Sequence, residues 1–131
     1  MADKGQSIRT PMGRVRGLGS AHSGTKHFWH QRLTAVAAIP LTIGFFIIMF
    51  SVIGRPHAAV TQTLGSPIVA IIMLLFVLTT IYHMYIGMQV VIEDYVHNEL
   101  AKILLIMSNN FFCVAVGFVC AFAILKMSFG V

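Results

Sequence analysis

Three stretches of this chain contain no Asp, Glu, Lys or Arg and are long enough to cross a lipid bilayer, which constrains the fold more than any other feature. Leu33–Gly54 lies between Arg32 and Arg55, Pro56–Ile92 between Arg55 and Glu93, and Ile103–Leu125 between Lys102 and Lys126. The middle run opens on polar residues (Pro56, His57, Thr61, Gln62, Thr63, Gly65, Ser66, Pro67), so its apolar part starts near Ile68. A helix needs roughly 20 residues to cross a hydrocarbon core of about 30 Å, and all three runs meet that length. Isolated strands and open sheets are excluded, because lipid leaves their backbone groups unsatisfied. Composition agrees: 57% of the 131 residues are hydrophobic and 10% charged, against about 25% charged in soluble domains. The expected fold is an all-α membrane protein with three transmembrane helices at about 30–54, 66–93 and 100–127.

The first run is read as a retained helix rather than a signal peptide. Its apolar part exceeds the 7–15 residues of a signal core, and a long, mostly polar stretch precedes it. Residues 1–26 form a basic N-terminal surface segment, rich in Gly and Ser and without apolar periodicity, ahead of an anchor domain at 27–131. Lys4, Arg9, Arg14, Arg16, Lys26 and Arg32 face the single acid Asp3, so this flank carries the +5 that is also the net charge of the chain. The positive-inside rule then puts the N-terminus and the Glu93–Lys102 loop in the cytoplasm or its equivalent. Anionic lipid or docking against a soluble partner accounts for such a tail, and nucleic acid is not expected among its partners. Cys113 and Cys120 lie seven residues apart on the third helix, about 10 Å along the axis and too far for a disulfide.

Several polar residues admit an ordinary structural role. "KHFWHQR", Lys26 to Arg32, sits at the mouth of the first helix, where aromatic and basic residues mark the interfacial belt. Arg32 there also has the planar fork that clamps a carboxylate, such as one on a cofactor. Pro40 falls within the first helix, where neighbouring helices accommodate a kink. Ser108, Asn109, Asn110 and Gly117 on the third helix suit hydrogen bonding and close packing between helices.

His83 is harder to assign to packing. It lies ten residues before Glu93, the expected aqueous boundary, which is ~15 Å of helix rise or about half the hydrocarbon thickness. An ionisable side chain at that depth is costly and points to function. Neutral imidazole is a frequent axial ligand of haem iron, and Gly87, one turn on, leaves a side-chain-free patch where a flat macrocycle or another helix can approach. Ligation, proton relay and packing remain open from position alone. His22, His27 and His30 are expected ahead of the first helix, His57 in the far-side loop and His97 beyond the boundary, while Met107 matches the depth poorly. A bis-histidine site on His83 therefore needs its second imidazole from another chain. After His83 comes "EDYVHNE", which sets Glu93 and Asp94 at the C-terminal end of a helix, the unfavourable end for acids. Tyr95 there fits either the interfacial belt or a hydroxyl donor to the carbonyl of a membrane-soluble quinone.

His83, Gly87, Val91, Asp94, Tyr95 and Val96 together resemble the pattern of the D-type hydrophobic membrane anchor of succinate dehydrogenase. "HFWHQR" followed by Leu33-Thr34-Ala35 resembles it more thinly, and the basic extension is outside the shared pattern. The resemblance implies half of a heterodimeric membrane anchor bundle in the bacterial inner membrane, with the mitochondrial inner membrane the lesser alternative. It implies partners as well: a C-type cytochrome b anchor subunit, an iron-sulfur subunit and a flavoprotein subunit that oxidises succinate. On this reading His83 is an axial ligand of haem b, with the other ligand on the C-type anchor. Tyr95 donates to a ubiquinone carbonyl, Asp94 sets charge beside it, and Arg32 matches a basic residue near the haem propionates. The chain would hold no complete active site and no iron-sulfur ligands. Rival readings are the anchor of a fumarate reductase, a proton-relay or transport subunit built on His83, and a purely structural assembly factor.

Overall fold

A computed structural model describes residues 10–12 and 23–130. Its elements are α1 (Ser23–Val52), α2 (His57–Leu64), α3 (Pro67–Tyr95) and α4 (Glu99–Phe129). The three long helices contain 30, 29 and 31 residues, about 45 Å each at 1.5 Å per residue. That exceeds the hydrocarbon thickness and carries both ends into the headgroup region. All three are long and apolar enough to cross a membrane, as the charge-free runs predict.

Two differences from the sequence reading have clear causes. The first helix starts at Ser23 rather than near residue 30, so residues 23–26 of the expected surface segment are helical and His27 and His30 lie inside α1. Charge ends a hydrophobic run without ending a helix, because Lys, Gln and Arg have good helix propensity. His22 and most of the basic segment lie outside the described residues. The polar stretch after Arg55 is the second difference: it contains the short helix α2 instead of an open loop. Pro56 caps α2 and Pro67 occupies the first turn of α3, so both prolines act as helix-start residues, a position their fixed φ suits.

The helix ends follow local chemistry. Asn98 caps α4 by accepting from the Ala101 N–H at 3.1 Å, Glu99 lies in the first turn and Lys126 in the last, each where the macrodipole favours its charge. Gly130, with φ 70°, closes that helix in the left-handed region. Pro40 is accommodated within a continuous α1.

α3 is the shared element, packing against α1 on one side and α4 on the other, while α1 and α4 make no direct packing contact among the described residues. α2 touches all three long helices at the end away from Asn98. There Phe45 of α1 stacks on Phe76 of α3 with centroids 4.6 Å apart, and Gly44 lets Ile72 approach. At the other end the contacts are polar. Asn109 of α4 donates to the Tyr85 carbonyl at 3.1 Å, the cross-helix role expected of an amide there, and also accepts from the Cys113 thiol at 3.6 Å. Cys113 and Cys120 are both free. A row of helices buries little: the buried hydrophobic residues are Ile48, Val52, Ala70, Ile86, Ile92 and Cys113, and apolar side chains cover the outside.

Gly65 marks the tightest approach. A Cβ there would lie 2.9 Å from the Met127 carbonyl oxygen of α4. Gly65→Ala is expected to destabilise the detergent-solubilised protein by about 1–3 kcal/mol, seen as a lower thermal unfolding midpoint. Gly54 has φ 73° and open space around it. Asparagine tolerates that conformation, so Gly54→Asn should stay within about 0.5 kcal/mol of the parent.

Candidate functional site

His83 lies close to the midpoint of α3, half-buried against α1. The antiparallel pairing of α1 with α3 sets Gln31 and Thr34 opposite it. Thr34 Oγ1 is 2.9 Å from His83 Nδ1, and Gln31 Nε2 is 3.4 Å from His83 Nε2. Thr34 also reaches back along its own helix, to the His30 carbonyl at 2.8 Å and the Gln31 carbonyl at 3.1 Å. One residue before His83, Tyr82 shares a 2.5 Å hydrogen bond with His30 Nδ1. Three side chains of α1, His30, Gln31 and Thr34, thus contact consecutive residues of α3.

Gln31 and His83 border a cavity of about 910 Å³ between α1 and α3. From α1 it is lined by His27, Phe28, Gln31, Arg32 and Ala35, and from α3 by His83, Ile86, Gln89, Val90 and Glu93. Helical spacing explains the set: positions 28, 31, 32 and 35 share one stripe, as do 83, 86 and 90. Gln89 donates to Glu93 at 2.8 Å one turn away. Arg32 is exposed and lies 4.3 Å above the Phe28 ring, a cation–π contact that leaves its donors free for an anion. Gln31 Oε1 is buried without a hydrogen-bond partner. A Cβ on Gly87 would touch Gln31 Nε2 at 3.5 Å, so the glycine gives the amide room beside the imidazole.

His83 and Arg32, singled out separately from sequence, therefore share one cavity. Asp94 and Tyr95 are not part of its lining. They are exposed at the end of α3, Tyr95 to 77%, and Tyr95 lies about 120° around the helix from His83. Sequence reasoning missed Gln31, Thr34, Gln89 and the His30–Tyr82 pair. A signal existed in Gln31 and Thr34, polar residues three apart that share a helix face, but nothing along the chain says which face meets His83. No cluster of three or more His, Cys, Asp or Glu side chains suited to a metal ion occurs among the described residues.

A second cavity, of about 500 Å³, lies between α3 and α4, bordered by Leu78, Tyr82, Tyr85, Asn110 and Gly117 among others. Its lining is almost wholly apolar.

Residues 6–122 match the family of succinate dehydrogenase/fumarate reductase transmembrane subunits. The chain is 36% identical over 102 residues to the succinate dehydrogenase hydrophobic membrane anchor subunit of Paracoccus denitrificans, covering 78% of this chain and 79% of that protein. It is 33% identical over 100 residues to the subunit of the same name from Rickettsia bellii (strain RML369-C), covering 76% and 80%. Similarity extends to the succinate dehydrogenase membrane anchor subunit of Reclinomonas americana, 30% identical over 84 residues and covering 62% and 70%. No solved structure matches the chain. The three apolar helices, the extent of the family match and these relatives together place the chain in the succinate dehydrogenase/fumarate reductase transmembrane-subunit family, as a membrane anchor subunit of succinate dehydrogenase.

Proposed function

We propose that this anchor holds half of a haem b site at His83 and contributes Tyr95, with Asp94 beside it, to a ubiquinone-reduction site. The observation that carries the first part is the shared cavity: an imidazole near mid-helix, His83, borders about 910 Å³ of space also bordered by Arg32. The residues fit such a group. His83 offers a ring nitrogen, Gly87 leaves clearance on the same face, Arg32 has donors free for a propionate carboxylate, and Gln31 Oε1 is a buried acceptor without a partner. When bound, haem b supplies a reversible one-electron iron couple. The chain's own part is to present the imidazole, fix its orientation through α1, and neutralise negative charge with Arg32. A sister C-type cytochrome b anchor would supply the other histidine.

Reducing a quinone takes two electrons and two protons, so its pocket must meet both an electron carrier and water. Tyr95 and Asp94 are exposed at the α3 terminus on the side of the basic flank, which suits both needs. Tyr95 donates its hydroxyl to a quinone carbonyl, and Asp94 sets the local charge. The electrons come from an iron-sulfur subunit, itself reduced by a flavoprotein that oxidises succinate. On this reading the chain belongs to a bacterial inner membrane, and its basic flank favours a cytoplasmic N-terminus.

Mild-detergent purification through a tag on this chain should recover flavin and iron-sulfur subunits, a second anchor and a b-type reduced-minus-oxidised spectrum. A stable, colourless chain recovered alone overturns the proposal. Tyr95→Phe should lower succinate:quinone activity about tenfold or more, the scale of one lost transition-state hydrogen bond. Succinate oxidation by a water-soluble artificial acceptor should stay near the parental rate. Equal loss of both activities would mean failed assembly rather than a role in the quinone pocket.

A further inference from the structure

We propose that Thr34 is the positioning residue for His83: its hydroxyl accepts the Nδ1–H, fixing the tautomer in which Nε2 is the nitrogen offered to a metal. This rests on the haem reading above.

A threonine hydroxyl has one proton. In a helix it is commonly given to a carbonyl three or four residues back, and β-branching restricts the side chain to the rotamers that permit this. Thr34 lies 2.8 Å from the His30 carbonyl and 3.1 Å from that of Gln31. With its proton engaged there, only lone pairs remain for His83 Nδ1 at 2.9 Å, so the imidazole must bring the proton to that contact. The other ring nitrogen agrees. Gln31 Nε2, a group that only donates, faces His83 Nε2 at 3.4 Å, as suits a nitrogen bearing a lone pair. Gln31 and His83 both line the cavity. Thr34 is half-buried within the span, where little water competes for the hydrogen bond.

The bond does two things for a ligating histidine. It holds the ring plane, and by drawing on the Nδ1 proton it makes Nε2 more basic, which favours the more oxidised metal. Loss of such an outer hydrogen bond typically costs 10–100-fold in metal affinity or activity. Thr34→Val keeps the shape and removes the hydroxyl, Thr34→Ala removes it with less risk of a clash, and Thr34→Ser retains it.

The test uses the intact complex purified through this chain. Its readouts are haem per flavin, the b-type spectrum and the haem midpoint potential. Thr34→Val and Thr34→Ala should each move the haem couple about tenfold toward the ferrous form, near +59 mV for one electron, and lower haem occupancy after dialysis. Thr34→Ser should remain close to wild type in both. If Thr34→Val does not assemble, the comparison of Ala with Ser decides. A normal wild-type spectrum with unchanged potential and occupancy in the hydroxyl-free variants overturns the role of Thr34 alone. An equal shift in Thr34→Ser would overturn it too, since packing of the methyl group would then be the cause. A wild-type complex without a b-type spectrum overturns the underlying haem reading.

Discussion

Helices in lipid gain nothing by hiding apolar surface from one another, because the tails around them are equally apolar. What joins them is close packing and hydrogen bonding across the interfaces, and in this chain the two are segregated by depth. Toward α2 the contacts are steric: Gly44 against Ile72, Phe45 on Phe76, and Gly65 beneath Met127. Toward the α3–α4 turn they are polar: His30 with Tyr82, Thr34 with His83, and Asn109 with the Tyr85 carbonyl. Every one of these polar links includes α3. Since α1 and α4 do not pack on each other among the described residues, their relative placement is inherited from their separate attachments to α3. The steric end fixes how near the helices come, and the polar end fixes their rotation and register. A site that depends on which side chains face each other belongs at the polar end, and that is where His83 is.

This division explains what was legible in the sequence. The number of spanning helices follows from the energetics of charge in lipid, and three charge-free runs report it directly. Their limits were less legible. Lys26 and Arg32 end the apolar run without ending the helix, and Pro56, in the polar stretch ahead of the second span, stands at the start of a short helix. His83 was conspicuous because an imbedded imidazole needs a reason. Its partners Gln31 and Thr34 were not, because they depend on the antiparallel register of α1 against α3, a quantity that no one-dimensional period encodes. Arg32 was noticed for its fork and its position at the mouth. Only the shared stripe of 28, 31, 32 and 35 puts it beside the histidine.

An apolar outer surface on a membrane protein says little about partners, because lipid covers it as well as protein does. Polar groups are more discriminating, since hydrocarbon cannot satisfy them. Gln31 Oε1 is buried without a partner, while Arg32 and Glu93 line the same cavity. Such a concentration of polar capacity, on the face that holds His83, distinguishes this side of the row from the lipid-like lining between α3 and α4. Under the proposed function, a sister anchor and a cofactor between the two chains meet that capacity.

The position of Tyr95 adds a geometric constraint to the same proposal. It is twelve residues beyond His83 on one uninterrupted helix, roughly 18 Å along the axis and about 120° around it. Two ligands held at these residues would not compete for the same volume, yet a rigid rod fixes the distance between them. Their faces also differ. The His83 face is occupied by α1, whereas Tyr95 is open and so requires the rest of its pocket from outside this chain. A quinone site at Tyr95 would thus form only on assembly with the subunit that delivers electrons to it. The His83 site depends first on the α1–α3 contact, which this chain makes by itself.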